Sequence, residues 1–205
     1  MKQKLILITG SPCVGKTAVA ERLFGLCEDS AYFDGDWGWC VNPFSLDDPR
    51  LRNGDRTIAF ALSNYLKSGF RYVICPTVVV IGEEIRASVL RGIDAENYST
   101  VAFTLTCSEE TLAARHRKRG DQTTLSYAWL RMPPHPGDYV VDTDGMTPEQ
   151  VAAELKRIVD AADLISRPPL HALNPPLSLF ACFNRKVFGG EPEEGPFLQK
   201  GSLSE

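Results

Sequence analysis

A glycine-rich turn with a lysine and a threonine lies near the start of the chain. Residues 10–17 read GSPCVGKT and fit the pattern G-x-x-x-x-G-K-[ST]. In this pattern, backbone N–H groups at a helix N-terminus surround a phosphate, the lysine reaches the β- and γ-phosphates, and the threonine hydroxyl binds Mg²⁺. The turn follows an apolar run and precedes a helical pattern, as this chemistry requires. We therefore expect a nucleoside triphosphate to be bound by Gly10, Ser11, Pro12, Cys13, Val14, Gly15, Lys16, Thr17 and Ala18.

Two carboxylates form the second group that could do chemistry. Asp34 and Asp36 lie two positions apart at the end of a short predicted strand, where extended backbone points both side chains to one side. At the sheet edge where the glycine turn opens, either could accept a proton from a hydroxyl group or hold Mg²⁺ through water. Asp36 is the first choice for the base, although Asp-Gly-Asp also suits a plain tight turn. Trp37 and Trp39 could stack on a ring of an acceptor or act as structural anchors.

An alternation of strands and helices would bring the phosphate loop and the two carboxylates to one edge of a sheet. Apolar runs and helical spacings alternate along most of the chain, which predicts an α/β domain with a five-stranded parallel sheet in a three-layer, doubly wound arrangement. Ser108 can cap one helix, and Thr147 with Gln150 forms a capping-box pattern for another. The predicted strands are residues 4–9, 31–33, 72–81, 101–106 and 139–141, and the predicted helices cover 15–27, 58–66 and the segments after 108 and 147.

Composition narrows the class of protein. A chain of 205 residues with 43% hydrophobic content suits one domain with a sizeable core. With 22 basic and 26 acidic residues, the chain lacks the basic surface typical of nucleic-acid binding. The longest apolar runs are too short to cross a membrane and no signal peptide is evident, so we expect no membrane partner and a cytoplasmic location. The six cysteines show no C-x-x-C spacing, which argues against a zinc site or a disulfide framework.

The composition shifts towards the end of the chain. Residues 168–205 hold six prolines and four glycines with little periodicity. We therefore predict a domain over residues 1–166 and an irregular tail over residues 167–205.

The order of these features resembles the small-molecule kinase branch of the P-loop NTPases. The resemblance covers about residues 1–165. It is carried by the phosphate loop, by the D-G-D of residues 34–36, by an arginine-bearing helix, and by DTDGMTPEQV at residues 142–151. The branch includes shikimate, gluconate and adenylylsulfate kinases, chloramphenicol phosphotransferases and bacterial nucleotide-kinase-like proteins.

The resemblance implies a lid over residues 115–135 whose arginines close over the phosphates. Arg115 and Arg119 are four positions apart on one helix face and could stabilise charge on the transferred group. Basic residues at a helix C-terminus also complement its dipole, so both interpretations stay open. The resemblance further implies that adenine lies near the loop that begins at Asp142.

One departure from the branch concerns the metal. An acidic residue for the Mg²⁺ shell is expected on the strand at residues 72–81, and none is present there. Glu83 or Glu84, just beyond this strand, could replace it, and so could Asp34 or Asp36.

The expected activity is transfer of the γ-phosphoryl group of ATP, with Mg²⁺, to a hydroxyl or phosphate of a small molecule. Lys16 would position the nucleotide, Asp36 or Asp34 would activate the acceptor, and Arg115 and Arg119 would stabilise the transition state. The chain has no guanine-reading N-K-x-D segment, which argues against a GTPase switch. A sensor that binds ATP without transferring phosphate remains the alternative, and the sequence leaves the acceptor and the oligomeric state open.

Overall fold

The computed structural model describes residues 2–45, 47–78, 80, 82–120 and 124–162. The predicted domain end at residue 166 and the predicted tail of residues 167–205 lie outside the described residues. Residues 121–123 of the predicted lid also lie outside them.

Five parallel strands form one sheet in the described part of the chain. They are β1 (Gln3–Gly10), β2 (Ser30–Tyr32), β3 (Tyr72–Pro76), β4 (Tyr98–Thr106) and β5 (Tyr139–Asp142). Their order across the sheet is β2-β3-β1-β4-β5. Ile6 of the central strand β1 lies opposite Ile74 of β3 and Val101 of β4. Residues 5–8 are apolar and fully buried, because a central parallel strand is covered on both faces.

Helices cover both faces of the sheet. Over the described residues they are α1 (Lys16–Leu26), α2 (Asn53–Lys67), α3 (Glu83–Arg91), α4 (Glu109–Arg119) and α5 (Pro148–Ala161). One core joins one face of the sheet to α1, α4 and α5, and a second core joins the other face to α2 and α3. The predicted α/β class and five-stranded parallel sheet are therefore confirmed. Within the described residues, none of the helices is both long and apolar enough to cross a membrane.

The predicted caps begin two of these helices. The Ser108 side chain accepts a hydrogen bond from the Thr111 N–H at the start of α4. At the start of α5, the Thr147 hydroxyl accepts from the Gln150 N–H, and the Gln150 side chain accepts from the Thr147 N–H at 2.8 Å. Each cap satisfies N–H groups that a helix leaves unpaired at its first turn, so it fixes where the preceding loop ends.

Strand β3 is shorter than its sequence predicted. The valine-rich run predicted a strand over residues 72–81, whereas β3 ends at Pro76. The Thr77 N–H still donates to the Ile8 carbonyl at 2.9 Å, but the Val78 N–H turns away from the sheet and donates to Asp36 Oδ1 at 2.7 Å. A tertiary hydrogen bond therefore overrides the strand propensity of the valines.

Helix α3 and two short 3₁₀ segments were not predicted. The buried side of α3 includes Arg86 beside Ile85 and Val89, and a charged residue interrupts the apolar pattern by which a helix is recognised. The 3₁₀ segments, Gly35–Trp39 and Pro49–Arg52, are too short to show a period. The first of them contains one of the two predicted carboxylates.

Candidate functional site

The phosphate loop joins β1 to α1 through backbone conformations that favour glycine at two positions. Gly10 has a φ of 140°, and a Cβ placed there would lie 2.4 Å from the Leu105 carbonyl oxygen of β4. Gly15, just before α1, has a φ of 106°. Both angles favour glycine, and Gly10 also lacks room for any side chain. The loop therefore delivers the chain directly into the N-terminus of α1, where unpaired N–H groups favour an anion.

Lys16 is buried at the first position of α1. Its Nζ donates to the Ser11 carbonyl oxygen at 3.0 Å, across the loop. Burial lowers the pKa of the Lys16 ammonium, and the negative charges of Asp36 and Asp34 oppose this shift. Both carboxylates therefore lie near enough to the phosphate loop for their charges to act on the Lys16 ammonium.

The two carboxylates occupy different hydrogen-bonding positions just after β2. Asp34 caps the segment Gly35–Trp39 by accepting from the Asp36 N–H at 3.0 Å. Asp36 Oδ1 accepts from the Thr77 hydroxyl and from the Val78 N–H, both at 2.7 Å. Burial and the charge of Asp36 raise the pKa of Asp34. Asp36 is therefore fixed in orientation through its Oδ1. Burial and repulsion from Asp36 disfavour the ionised form of Asp34.

Gly35 allows the segment after β2 to lie close against the end of β3. A Cβ at Gly35 would lie 2.8 Å from the Thr77 Cβ and 3.1 Å from the Cys75 Sγ. Any side chain at this position would push the segment away from Thr77. The middle residue of D-G-D therefore sets the distance between Asp36 and the end of β3.

The two tryptophans play different roles. Trp39 donates from Nε1 to Asp55 Oδ1 at 3.0 Å, and the Arg52 guanidinium lies 5.8 Å from the centroid of its ring while pairing with Asp55 at 2.6 Å. Trp39 is therefore an anchor between the 3₁₀ segment and α2. Trp37 is 72% exposed and free to contact another molecule.

The two predicted lid arginines are held differently. Arg115 donates from Nη1 to the Val14 carbonyl and to the Thr143 hydroxyl, both at 2.8 Å, and from Nη2 to the Thr143 carbonyl at 2.9 Å. It thus ties α4 to the phosphate loop and to the segment after β5. Arg119 lies one turn further along α4, with Nη1 3.8 Å from the Cys13 Sγ. Its positive charge contributes, after burial, to the lowered pKa of Lys16.

The segment after β5 is ordered by its own polar side chains. Asp142 is exposed and accepts from the Asp144 N–H at 3.0 Å, and the Asp144 carboxylate accepts from the Ser108 N–H. Thr143 is buried and donates to the Thr106 carbonyl at 2.9 Å. The resemblance assigns adenine to this segment, and Arg115 connects it to the loop.

A buried ion pair at the same edge of the sheet was not predicted. Arg86 donates to Asp138 through two nitrogens, at 2.8 Å and 3.1 Å, and the Thr104 hydroxyl donates to the same carboxylate at 2.7 Å. Beside it, His135 Nε2 lies 2.5 Å from Glu83 Oε2. Arg86 and Asp138 are 52 positions apart, so no local pattern could have revealed the pair. Glu83, a possible Mg²⁺ ligand from the sequence, pairs with His135 instead.

The Mg²⁺ that the loop pattern implies fits the residues present. The carboxylates of Asp34 and Asp36 and the exposed Thr17 hydroxyl are the hard oxygen donors that Mg²⁺ prefers. Asp36 raises the pKa of Asp34, and a divalent cation would relieve this repulsion. No group of three or more His, Cys, Asp or Glu side chains suited to a metal occurs among the described residues, so phosphate oxygens and water would complete the shell.

Comparison with known proteins identifies the fold. No family model matches this sequence, and no curated protein matches it. A sugar kinase from Janibacter sp. HTCC2649 has a TM-score of 0.59 at 16% identity, over 82% of this chain and 100% of that one. The tunicamycin resistance protein of Deinococcus radiodurans has a TM-score of 0.58 at 22% identity, over 82% and 100%.

A third solved structure contains bound ligands. APS kinase from Mycobacterium tuberculosis, in complex with AMPPNP and APS, has a TM-score of 0.56 at 14% identity, over 78% of this chain and 98% of that one. At these identities the likeness establishes the fold, which is that of small-molecule kinases of the P-loop class. This fold agrees with the resemblance found in the sequence.

Proposed function

We propose that this protein transfers the γ-phosphoryl group of ATP to a hydroxyl group of a small molecule. The observation that carries the proposal is the placement of Asp34 and Asp36, which are fixed just after β2 and beside Thr77. Both lie near enough to the Lys16 ammonium for their charges to oppose the fall in its pKa. A phosphate loop alone serves switches, motors and transferases alike. A carboxylate pair facing the loop adds what phosphoryl transfer to a hydroxyl needs, a group that can take the proton of the acceptor.

The nucleotide end of the site rests on the loop and on α1. The loop amides of residues 10–18 would surround the β- and γ-phosphates, with Lys16 beside them. Mg²⁺, held by the Thr17 hydroxyl and through water by Asp34, would neutralise charge on the phosphate oxygens. The loop at Asp142 would lie against the adenine. Arg115 would fix that loop relative to Val14 rather than contact the transferred group, because both of its terminal nitrogens are engaged.

The acceptor end rests on Asp36. In the reaction the acceptor oxygen forms a bond to the γ-phosphorus, the bond from that phosphorus to the β–γ bridging oxygen breaks, and ADP leaves. The proton of the acceptor hydroxyl passes to a carboxylate. The Thr77 hydroxyl and the Val78 N–H both donate to Asp36 Oδ1. The other carboxylate oxygen, Oδ2, would then face the acceptor hydroxyl. Asp34, with its raised pKa, would share the proton or support Mg²⁺ through water.

Arg119 completes the proposal beside the phosphate loop. Its Nη1 lies 3.8 Å from the Sγ of Cys13, a residue of the phosphate loop. A cation there would stabilise the negative charge that develops on the transferred group.

Phosphoryl transfer from radiolabelled ATP tests the proposal. Purified protein is incubated with Mg·ATP and a panel of metabolites, and labelled products are separated from inorganic phosphate. Lys16→Ala should lower transfer by about 1,000-fold or more while the chain stays folded, because a cation beside the phosphates is lost. Lys67→Ala, which removes an exposed lysine of α2, is the matched control and should keep full activity.

Two outcomes would contradict the proposal. Transfer by Lys16→Ala at the rate of the unmodified chain would exclude the loop as the site. Tight ATP binding with slow hydrolysis, unchanged by every acceptor, would favour the ATP sensor.

A further inference from the structure

A cavity of about 90 Å³ lies beside the first residues of the phosphate loop. One wall is Gly10 and Ser11, the second is the end of β4, and the third is residues 129–134. The volume is enough for a few non-hydrogen atoms of a ligand, about three water molecules by share of liquid volume. It therefore suits one end of a small molecule rather than a whole one.

Ser11 connects this cavity to the reaction centre. Its carbonyl oxygen accepts from Lys16 Nζ at 3.0 Å, so the residue that lines the cavity also touches the lysine of the phosphate loop. Only Ser11 would thus separate a molecule in the cavity from the lysine that contacts the phosphates. Residues 129–134 close the cavity from the side of the predicted lid.

A buried hydroxyl at the cavity has no partner. Ser11 is 1% exposed, and its Oγ is buried without a hydrogen bond. Such a group is costly to leave unpaired, and each case in a native protein calls for an explanation. Ser11 lines the cavity, and rotation of its side chain towards a polar ligand there would supply the missing partner.

The cavity carries no charged side chain among the residues that the structure describes. Its lining consists of hydroxyl-bearing residues, including Ser11 and Thr104, and of apolar ones, including Trp129 and Met132. An acid or a phosphate ester placed there would lose its water without gaining a cation from the cavity wall, and the Lys16 ammonium beyond Ser11 is reserved for the nucleotide in the proposed function.

Guanidinium groups near the cavity are already paired. Arg86, which lies next to Thr104 through the shared carboxylate, gives both terminal nitrogens to Asp138. Arg131, within the wall segment, pairs with Glu109 at 2.6 Å. An anionic ligand would have to break one of these ion pairs before it could use the cation.

We propose that the phosphoryl acceptor is an uncharged alcohol, whose non-reacting end occupies the cavity and hydrogen-bonds Ser11 while its reacting hydroxyl faces Asp36. This inference rests on the proposed function and narrows it. It excludes carboxylic acids and phosphate monoesters as the preferred substrates. A neutral polyol or nucleoside has both the hydroxyl groups and the uncharged body that the cavity accepts.

Matched acceptor pairs test the inference. Each pair keeps the hydroxyl groups and differs in one charge: shikimate methyl ester with shikimate, gluconate methyl ester with gluconate, and glycerate methyl ester with glycerate. We expect kcat/KM for the neutral member of a reacting pair to exceed that of the anion by about 100-fold or more, because the anion loses hydration in an uncharged cavity.

A charge placed at the cavity wall gives a second, independent readout. Val140 lines the cavity and is 52% exposed, so Val140→Lys adds a cation there with little effect on folding. It should reduce the preference for neutral acceptors by about 10-fold or more, because a nearby cation stabilises the anion. Leu26→Lys adds the same charge at the far end of α1, at a residue 49% exposed, and should leave the preference unchanged.

Three results would overturn the inference. They are a native preference for the anionic members, equal behaviour of Val140→Lys and Leu26→Lys, and Lys16-dependent ATP turnover with no product from any pair. Loss of Lys16-dependent ATP turnover itself would instead remove the proposed function.

Discussion

Two polar clusters lie against the same parallel sheet, and they differ in how their charges balance. In the Arg86 cluster, defined by Arg86, Asp138 and Thr104, one cation meets one anion through two hydrogen bonds, and the Thr104 hydroxyl donates a third to the same carboxylate. The buried Arg86 Nε has no hydrogen-bond partner among the described residues. In the loop cluster, defined by Ser11, Lys16, Asp34 and Asp36, one ammonium faces two carboxylates. The Ser11 hydroxyl has no partner there, and the pKa of Asp34 is raised.

The difference separates polar groups that hold the fold from those that await a ligand. A buried charge that lacks an equal and opposite partner is costly, and a bound ion or ligand can relieve that cost. The charges of the Arg86 cluster balance one to one, and the cluster joins α3, β4 and the segment before β5. The loop cluster has two carboxylates for one ammonium, and this unbalanced charge is the condition expected of a binding site.

Removal of one partner from the Arg86 cluster should give the largest effect. Asp138→Ala leaves the Arg86 guanidinium buried without an anion and should lower the free energy of unfolding by about 3–5 kcal/mol. Urea denaturation followed by circular dichroism measures this change. Arg86→Met combined with Asp138→Leu removes both charges and should recover most of the loss. Equal destabilisation of the double variant would mean that the pair contributes more than mutual neutralisation.

A change at Thr77 should act on the loop cluster with a smaller effect. Thr77→Val removes the hydroxyl that donates to Asp36 Oδ1 and keeps the shape of the side chain. We expect a loss of about 1 kcal/mol of stability and about a 10-fold fall in kcat with little change in KM for ATP, because the carboxylate loses one of its two fixed donors. Thr77→Ser keeps the donor and should retain most of the activity. An unchanged kcat in Thr77→Val would mean that the orientation of Asp36 is unimportant.

Asp34→Asn should give the smallest change in stability, and in the opposite direction. The folded state raises the pKa of Asp34, so the ionised form is disfavoured by folding. The resulting loss of stability develops as pH rises from the ordinary aspartate pKa of about 3.9 through the raised folded value, and it is complete above that value. The variant should therefore be slightly more stable than the native chain at pH 7, and the difference should disappear near pH 3.

Thermal melting at both pH values measures this difference, and phosphoryl transfer by the same variant should decrease. Gains in stability at the expense of activity are typical of strained functional groups. Lower stability of Asp34→Asn at pH 7 would show that Asp34 serves the fold.

The sequence predicted best what is encoded locally. Residues 10–17 carry the loop in adjacent positions, and the strand before them and the helix after them show clear apolar periods. Arg86 and Asp138 are brought together only by the fold, so their pairing left no local pattern. The end of β3 was predicted wrongly because a carboxylate 42 positions away captures the Val78 N–H. Helix α3 was missed because its buried side includes a charge that the apolar period cannot show.

The contacts of Arg115 connect three segments that are far apart in the sequence. One guanidinium holds helix α4, the Val14 carbonyl of the loop and both oxygens of Thr143. These segments should consequently open and close together in thermal fluctuations, as one cooperative unit. Amide hydrogen exchange at residues 14 and 143 should slow in parallel when nucleotide binds, even though only one of these residues belongs to the phosphate loop.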